Sequence, residues 1–163
     1  MINKFKKIVI KIGSSSIIDG KSKKIKLSWL TSLCKDIAKI NKTKKLVIVC
    51  SGAIALGSQS IKNKNTLRKL ENKQAAAAVG QIELAHLWKQ KLKKYNINAA
   101  QILLTLDDSE IRRRYLNARK TINALQNNNI IPIINENDSV ATEEIRYGDN
   151  DRLAARVSQM IDA

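Results

Sequence analysis

The sequence has little of what marks disulfide-rich, metal-binding or membrane-spanning proteins. Its 163 residues include two cysteines, one histidine and one proline. Cys34 and Cys50 lack metal-ligand spacing, and Cys50 lies in an apolar strand pattern, so we expect buried, reduced and unreactive thiols. No apolar run approaches the roughly 20 residues that a membrane-spanning helix needs. The amino terminus shows no secretory signal pattern, and we expect a cytoplasmic protein without a membrane partner or a dedicated metal site.

Aromatic residues are also scarce, at 4% of the chain, which leaves few rings for stacking on bases. The formal net charge is nevertheless +16, and residues 1–73 hold 18 Lys and Arg residues against three acidic ones. Clustered basic residues favour nucleic-acid binding because they release counterions from phosphate backbones. Here the excess is mostly lysine and accompanies abundant Asn and Ile, which is typical of codon bias. We expect no nucleic-acid partner, and a basic binding module remains the alternative class of function.

Strand and helix patterns alternate along the chain. Short β-branched runs predict strands, and apolar residues at helical spacing predict helices. The alternation predicts an α/β fold with a mostly parallel sheet covered by helices on both faces. Pro132 weakens the prediction of the last strand, because proline cannot donate to a central ladder. The predicted strands cover 5–12, 46–50, 97–105 and 130–135; the helices cover 27–41, 53–56, 70–95, 112–127 and 152–161, and 59–67 is expected to lack structure. The helix over 70–95 is predicted despite Gly80, and its alanine-rich centre should pack closely. The last helix has Leu153, Val157, Met160 and Ile161 on one face.

The first strand ends in residues suited to binding an anion. Lys11 closes an otherwise apolar run, where a charge is costly unless it has a partner. Gly13 and three serines follow in a predicted tight loop, where Gly13 and Ser14 offer a backbone amide and a hydroxyl to phosphate oxygens. The P-loop pattern is absent. The alternative interpretation is an edge-strand lysine that reaches water.

Polar residues also follow the second and fourth strands, where ligands of parallel sheets collect. Ser51, Gly52 and Ala53 combine small residues with a helix start, so their amides can face an anion or a carboxylate. A simple strand-to-helix turn is the alternative. Asn135 begins a polar tract in which Asp138 can bind an ammonium group or a metal, unless the tract is only a solvated loop.

Two acidic segments are ambiguous on spacing alone. Asp149, Asn150 and Asp151 are typical of a helix start, but two carboxylates flanking an amide can also orient lysines around a phosphoryl group in transfer. Asp107 and Asp108 precede an arginine-rich run, and we interpret them as a helix amino terminus followed by a solvated face.

With these residues in view, the chain resembles the glutamate 5-kinases of the amino-acid kinase superfamily, from about Lys6 to the last residue. The resemblance implies an amino-acid kinase-like α/β/α sandwich. It also implies transfer of the ATP γ-phosphoryl group to the glutamate side-chain carboxylate, with Mg²⁺, as the first step of proline biosynthesis. The segments that carry it, in order, are residues 9–15, 51–57, 73–81, 103–108, 112–118 and 132–153.

The resemblance also implies roles for single residues. Lys11 would stabilise the moving phosphoryl group, while Asp151, supported by Asp149, would organise cationic groups near the phosphates. Proline would inhibit at the glutamate site, and the full-length protein would form a homo-oligomer. Glutamate would be held by Ser51, Gly52, Ala53, Asn135, Asp138 and Asn150, with Asp138 facing its ammonium group, and Gly13 and Ser14 would face the ATP phosphates.

Glutamate 5-kinases continue beyond the segments matched here. The resemblance therefore implies that residues 1–163 are the amino-terminal, glutamate-binding portion of one kinase domain, without its nucleotide-binding portion and with a sheet incomplete at the carboxyl terminus. We expect a truncated chain that does not turn over ATP alone and whose exposed sheet edge favours association. The alternatives are another superfamily member with a different acceptor, and an inactive fragment that binds a partner.

Overall fold

The computed structural model describes residues 4–61, 64–140 and 149–163, without the side chains of residues 64, 65 and 149. Strands and helices alternate through these ranges, as the sequence predicts. The strands are β1 (Lys7–Ile12), β2 (Lys45–Cys50), β3 (Asn98–Leu104) and β4 (Ile130–Glu136). The helices are α1 (Ser14–Ile17), α2 (Leu27–Asn41), α3 (Ala53–Gly57), α4 (Leu70–Lys93), α5 (Asp107–Glu110), α6 (Arg112–Asn127) and α7 (Asp149–Ile161).

The four strands form one parallel sheet in the order β1-β2-β4-β3, which confirms the predicted sheet. The strand predicted over 130–135 is confirmed in spite of Pro132, and β4 lies between β2 and β3. The β4 ladder with β3 runs through Pro132, whose partner there is Ala100. The ladder with β2 pairs only Ile133 and Ile134, the two residues after the proline. A short ladder on that side accommodates a residue that cannot donate.

Two apolar cores cover the two faces of the sheet. Alternate residues of β2 point to opposite faces, so Ile48 joins one core and Val49 the other. The first core contains residues of α2, α3 and α4, and the second contains residues of α6 and α7. This arrangement confirms a sheet with helices on both faces. None of the helices in the described residues combines the length and apolar character needed to cross a bilayer.

Helices α3 and α4 touch through their backbones at two glycines. A Cβ on Gly80 would lie 1.8 Å from the carbonyl oxygen of Ala53, and a Cβ on Gly57 would lie 1.9 Å from that of Ala76. Neither position has room for a side chain. The alanine-rich centre of α4 packs closely, as predicted, and the contact fixes α3 directly after β2.

Three local expectations are corrected. Residues 64–68, expected to lack structure, form a short 3₁₀ helix. The three serines after Gly13, expected in a tight loop, form the single-turn helix α1. The last helix begins at Asp149, three residues before the predicted start, because the acidic segment forms its first turn. Short polar helices lack the apolar periodicity on which such predictions depend.

Candidate functional site

The loops after β1 and β2 lie side by side at the carboxyl edge of the sheet. The amide of Ser51 donates a hydrogen bond to the carbonyl oxygen of Ile12 at 3.0 Å. Gly52 has φ +123°, and a Cβ there would lie 3.9 Å from the Cα of Ser14. Glycine adopts this backbone conformation readily, whereas other residues are strained in it. The sheet register therefore brings Gly13, Ser14, Ser51 and Gly52 together.

Lys11 forms an ion pair with Asp151. Lys11 shares a face of β1 with Val9, the face that α7 covers, and its Nζ lies 2.7 Å from Oδ1 of Asp151. The side chains are 32% and 61% exposed, so both atoms remain within reach of a ligand. The two residues expected near the phosphates from the family resemblance thus contact each other.

Helix α7 is held by contacts on both sides. Leu153, Val157, Met160 and Ile161 are buried in the second core, on the predicted helical face. Arg156 donates hydrogen bonds to the hydroxyl of Ser109 at 2.5 Å and to the carboxylate of Glu110 at 3.0 Å. These contacts fix the first turn of α7, and with it Asn150 and Asp151, near the end of β1.

Asn150 carries a buried acceptor that has no partner among the described residues. Its Oδ1 is inaccessible to water and accepts no hydrogen bond from the described residues. An unpaired buried acceptor costs about 1–3 kcal/mol. Because Asn150 adjoins Asp151, this acceptor lies in the same part of the molecule as Lys11. A donor supplied by a ligand would remove the cost.

The end of β4 contributes two buried polar side chains. Asn135 is 3% exposed, and its Oδ1 accepts the amide of Glu136 at 2.9 Å. Asp138 is 6% exposed and follows β4 by two residues. Its burial contradicts the alternative of a freely solvated loop. Because β4 neighbours β2, these residues share the sheet edge with Ser51.

Other candidate residues have structural roles or lie outside the description. Asp108 accepts the amide of Thr105 at 2.7 Å and its hydroxyl at 2.8 Å, so it stabilises a turn. Asp107 is 3.5 Å from Arg114, consistent with the predicted helix terminus and solvated face. The Asp149 side chain and residues 141–148, including Gly148, lie outside the described residues.

Both thiols are buried, as predicted. Burial raises the pKa of Cys34 to about 11 and that of Cys50 to about 12, because the charged thiolate is poorly solvated in an apolar core. Neither forms a reactive thiolate near neutral pH.

Gln81 supports the β4 loop, and the sequence analysis assigned it no role. It is 7% exposed, and its Nε2 donates to the carbonyl oxygen of Glu136 at 3.2 Å, two residues before Asp138. Its Oε1 accepts from Gln101 at 3.0 Å. A glutamine on the buried face of an alanine-rich helix was the available signal, since buried amides need partners.

The described residues include no cluster of three side chains suited to holding a metal ion. Mg²⁺ is often bound through one or two carboxylates together with substrate phosphates. Asp151 provides one accessible carboxylate beside Lys11. The donor set therefore fits an ion that arrives with a nucleotide better than a resident metal.

The fold is an α/β domain with one parallel sheet, covered by helices on both faces, and with an ion-paired lysine at the carboxyl edge of that sheet. The crystal structure of UMP kinase from Ureaplasma parvum matches with a TM-score of 0.63 over 97% of this chain and 66% of that one, at 16% identity. UMP kinase from Bacillus anthracis matches with a TM-score of 0.62, over 96% and 61%, at 11% identity. The chain belongs to the amino acid kinase family, whose model matches residues 6–163.

Curated relatives are more similar in sequence. The chain is 52% identical to the glutamate 5-kinase of Bradyrhizobium diazoefficiens over 99% of its own length and 44% of that protein. It is 58% identical to the glutamate 5-kinase of Agrobacterium fabrum over 96% of its length and 40% of that protein. The chain therefore spans about two fifths of the length of the curated relatives it matches.

Proposed function

We propose that this chain supplies the glutamate-binding and phosphate-facing residues of a glutamate 5-kinase. The main observation that supports this proposal is the ion pair of Lys11 with Asp151, which lies beside the Ser51-Gly52 loop at one edge of a parallel sheet. Identities of 52% and 58% to glutamate 5-kinases support the choice of glutamate over other acceptors. The likeness to UMP kinases concerns the fold and does not favour a nucleotide acceptor.

The proposed reaction needs charge stabilisation more than covalent chemistry. A carboxylate oxygen of glutamate forms a bond to the γ-phosphorus of ATP while the bond from that phosphorus to the bridging oxygen of ADP breaks. The ammonium group of Lys11 faces the phosphoryl oxygens and offsets their negative charge. Asp151 holds that ammonium group in place through the 2.7 Å contact. ADP and glutamyl 5-phosphate are the products.

The proposed glutamate pocket lies across the ends of β2 and β4 and the start of α7. Asp138, which is 6% exposed, faces the ammonium group of the substrate, where burial strengthens the attraction. The unpaired Oδ1 of Asn150 accepts one of its N–H groups. Ser51, Gly52, Ala53 and Asn135 complete the wall, with backbone amides directed to a carboxylate.

The phosphate side of the site is formed by Lys11 with Gly13 and Ser14. A Cβ added to Gly13 would lie 3.6 Å from the Nζ of Lys11. Because glycine has no side chain, no side-chain atom covers the backbone beside the ammonium group. A phosphate can approach such a backbone closely. Mg²⁺ bound with ATP would neutralise phosphate charge. Asp151 would organise the cationic groups there, in the role that the sequence also suggests for Asp149.

Two further properties belong to the same proposal. Proline, an amino acid of similar size, would compete for the pocket that holds glutamate. The protein would act in the cytoplasm, as part of a homo-oligomer. Displacement of bound glutamate by proline in a titration tests the first property.

Glutamate binding is the direct test, because the proposed pocket is built from described residues. Calorimetric titration of L-glutamate into the wild-type chain is expected to show one site. Asp138→Asn should weaken binding by about tenfold or more, since it removes the charge that answers the ammonium group. Asp36→Asn, on the exposed face of α2, removes the same charge outside the pocket and should leave the affinity unchanged.

The choice of acceptor is tested by competition. Aspartate, N-acetylglutamate, carbamoyl phosphate and UMP should each displace glutamate poorly. Stronger binding of any of these would identify a different member of the amino acid kinase family. Circular dichroism melts of the Asp138→Asn and Asp36→Asn variants show whether a loss of glutamate binding reflects unfolding.

Turnover can be tested in a chimera in which this chain replaces the matching segment of the Agrobacterium fabrum glutamate 5-kinase. Hydroxylamine converts glutamyl phosphate to a hydroxamate, which is measured by the colour of its complex with iron(III). Activity that depends on ATP and glutamate supports the proposal. A folded chimera that binds ATP but forms no glutamyl phosphate contradicts it.

A further inference from the structure

A cavity opens at the edge of the sheet opposite the proposed active site. It has a volume of about 540 Å³ and lies where β1, β2 and β4 begin. Its wall includes five lysines and no carboxylate from the described residues. The lysines are Lys6, Lys7, Lys42, Lys44 and Lys45.

The fold forces two of these charges together. Lys7 and Lys45 are register partners in the parallel pair β1 and β2. Like charges on neighbouring strands destabilise a sheet. Lys7 donates to the carbonyl oxygen of Ile161 at 2.7 Å, and Lys45 donates to Oδ1 of Asn127 at 2.6 Å. Those partners are neutral, so they fix the ammonium groups without compensating their charge.

The cavity wall also contains a buried acceptor that has no partner in the described part of the chain. Gln126 is 4% exposed, and its Nε2 donates to the carbonyl oxygen of Leu46 at 3.3 Å. That bond sets the orientation of the amide and leaves Oε1 without a hydrogen bond from the described residues. An acceptor of this kind calls for a hydroxyl or N–H donor.

We infer that this cavity binds a small phosphorylated compound that carries hydroxyl groups, such as a sugar phosphate. The phosphate answers the lysines, and a hydroxyl reaches Oε1 of Gln126 after a small rotation of the side chain. The volume lies within the roughly 300–1,000 Å³ of small-molecule sites. None of the described residues that line the cavity is aromatic, so they offer no ring for stacking on the bases of a nucleic acid.

Calorimetric titration of ribose 5-phosphate into the wild-type chain at low salt tests the inference. Lys6→Gln with Lys42→Gln removes two exposed charges of the wall and should weaken binding by about tenfold. Lys89→Gln with Lys93→Gln removes two exposed charges of α4, outside the cavity wall, and should change the affinity by less than about twofold. Thermal melts report whether each variant is folded.

The preference for ribose 5-phosphate over inorganic phosphate is a second measurement, and the charge of the cavity wall alone does not change it. Wild type should bind ribose 5-phosphate at least about fivefold more tightly than inorganic phosphate, because the hydroxyls add hydrogen bonds. Gln126→Leu should reduce that preference, with little change in the affinity for phosphate. Ribose without phosphate should not bind measurably. Added L-glutamate should leave the affinity for ribose 5-phosphate unchanged, which separates this cavity from the proposed active site.

Three results would overturn the inference. One is the absence of ribose 5-phosphate binding to the folded wild type. Another is an equal loss of affinity in the Lys6/Lys42 variant and in the Lys89/Lys93 variant. The third is displacement of ribose 5-phosphate by a single-stranded oligonucleotide that binds more tightly, which would assign the lysines to a nucleic-acid surface.

Discussion

The Nζ of Lys11 lies 2.7 Å from Oδ1 of Asp151, so the end of the first strand is tied to the first turn of the last described helix. Both side chains are partly exposed, and exposed ion pairs contribute only about 0–1 kcal/mol to stability. A contact that contributes little to stability yet links two distant segments is well suited to orienting an ammonium group. Its removal should therefore affect catalysis more than folding.

The first prediction concerns that pair in the chimera. Lys11→Met should lower kcat by about 100-fold or more, the usual loss when one group that stabilises transition-state charge is removed. The KM for glutamate should change less than about threefold, because Lys11 faces the phosphates. Asp151→Asn should give a smaller loss of kcat. Steady-state kinetics by hydroxylamine trapping measure all three values.

The surface pair Lys39 and Asp36 provides the matched control for those substitutions. Its atoms are 3.3 Å apart on α2, and both side chains are mostly exposed. Lys39→Met and Asp36→Asn should leave kcat and KM unchanged. Equal losses in the two pairs would remove the case for a catalytic Lys11.

The second prediction concerns the unpaired acceptor of Asn150. Asn150→Ala should leave the free energy of unfolding unchanged or raise it by up to about 1 kcal/mol, because it deletes a buried Oδ1 that accepts no hydrogen bond from the described residues. The affinity for L-glutamate should fall by about tenfold. Urea unfolding and calorimetric titration measure the two effects. Lost stability with unchanged affinity would make Asn150 a structural residue.

The third prediction concerns the close contact of α3 with α4. Gly80→Ala places a Cβ 1.8 Å from the carbonyl oxygen of Ala53 and should cost about 1–3 kcal/mol or more in the free energy of unfolding. Gly20→Ala is the control, since no atom lies within 4 Å of its added Cβ. It should be neutral or stabilising by up to about 1 kcal/mol. Comparable losses in both variants, measured by urea unfolding, would contradict the contact.

The fourth prediction concerns pH and the buried thiols. Both thiols have a pKa above the ordinary value of 9.0, about 11 for Cys34 and about 12 for Cys50. Above pH 9 the unfolded chain loses thiol protons that the folded chain retains. The free energy of unfolding that the protonated thiols contribute below pH 9 therefore declines as the pH rises, until the thiols of the folded chain ionise as well. The free energy of unfolding should fall by about 1.4 kcal/mol per thiol for each pH unit above 9.

Lysines also titrate in that range, so the measurement is a comparison. The wild type should lose stability between pH 9 and pH 11 relative to a variant with Cys34→Ala and Cys50→Ala. Parallel curves for the two proteins would show that burial does not perturb the thiols.

Local patterns predicted most of the architecture. The helix over 27–41 matches α2 at both ends, because its apolar residues recur at helical spacing and Leu30, Cys34 and Ile37 face the core. The strand over 130–135 was predicted and is confirmed as β4, although Pro132 weakened the prediction. The sequence did not show that the ladder of β4 with β2 begins only after Pro132, a register that lets a residue without an N–H donor stand in a central strand. Such register depends on distant residues and is not visible locally.

The candidate site was predictable in position more than in detail. Parallel strands place Lys11, Ser51 and Asp138 at one edge of the sheet, so their shared location follows from the fold. The partner of Lys11 depends on how α7 packs, through contacts such as Arg156 with Glu110. Gly80 appeared only as a tolerated helix breaker, whereas the structure shows that no larger residue fits there.

A crystal structure of this chain with bound L-glutamate would test the central claim most directly. We expect the substrate ammonium group within hydrogen-bond distance of the Asp138 carboxylate, with Asn150 and Ser51 in contact and the side-chain carboxylate directed toward Lys11. Glutamate bound instead among the lysines at the opposite edge of the sheet, with Asp138 and Asn150 untouched, would contradict the account.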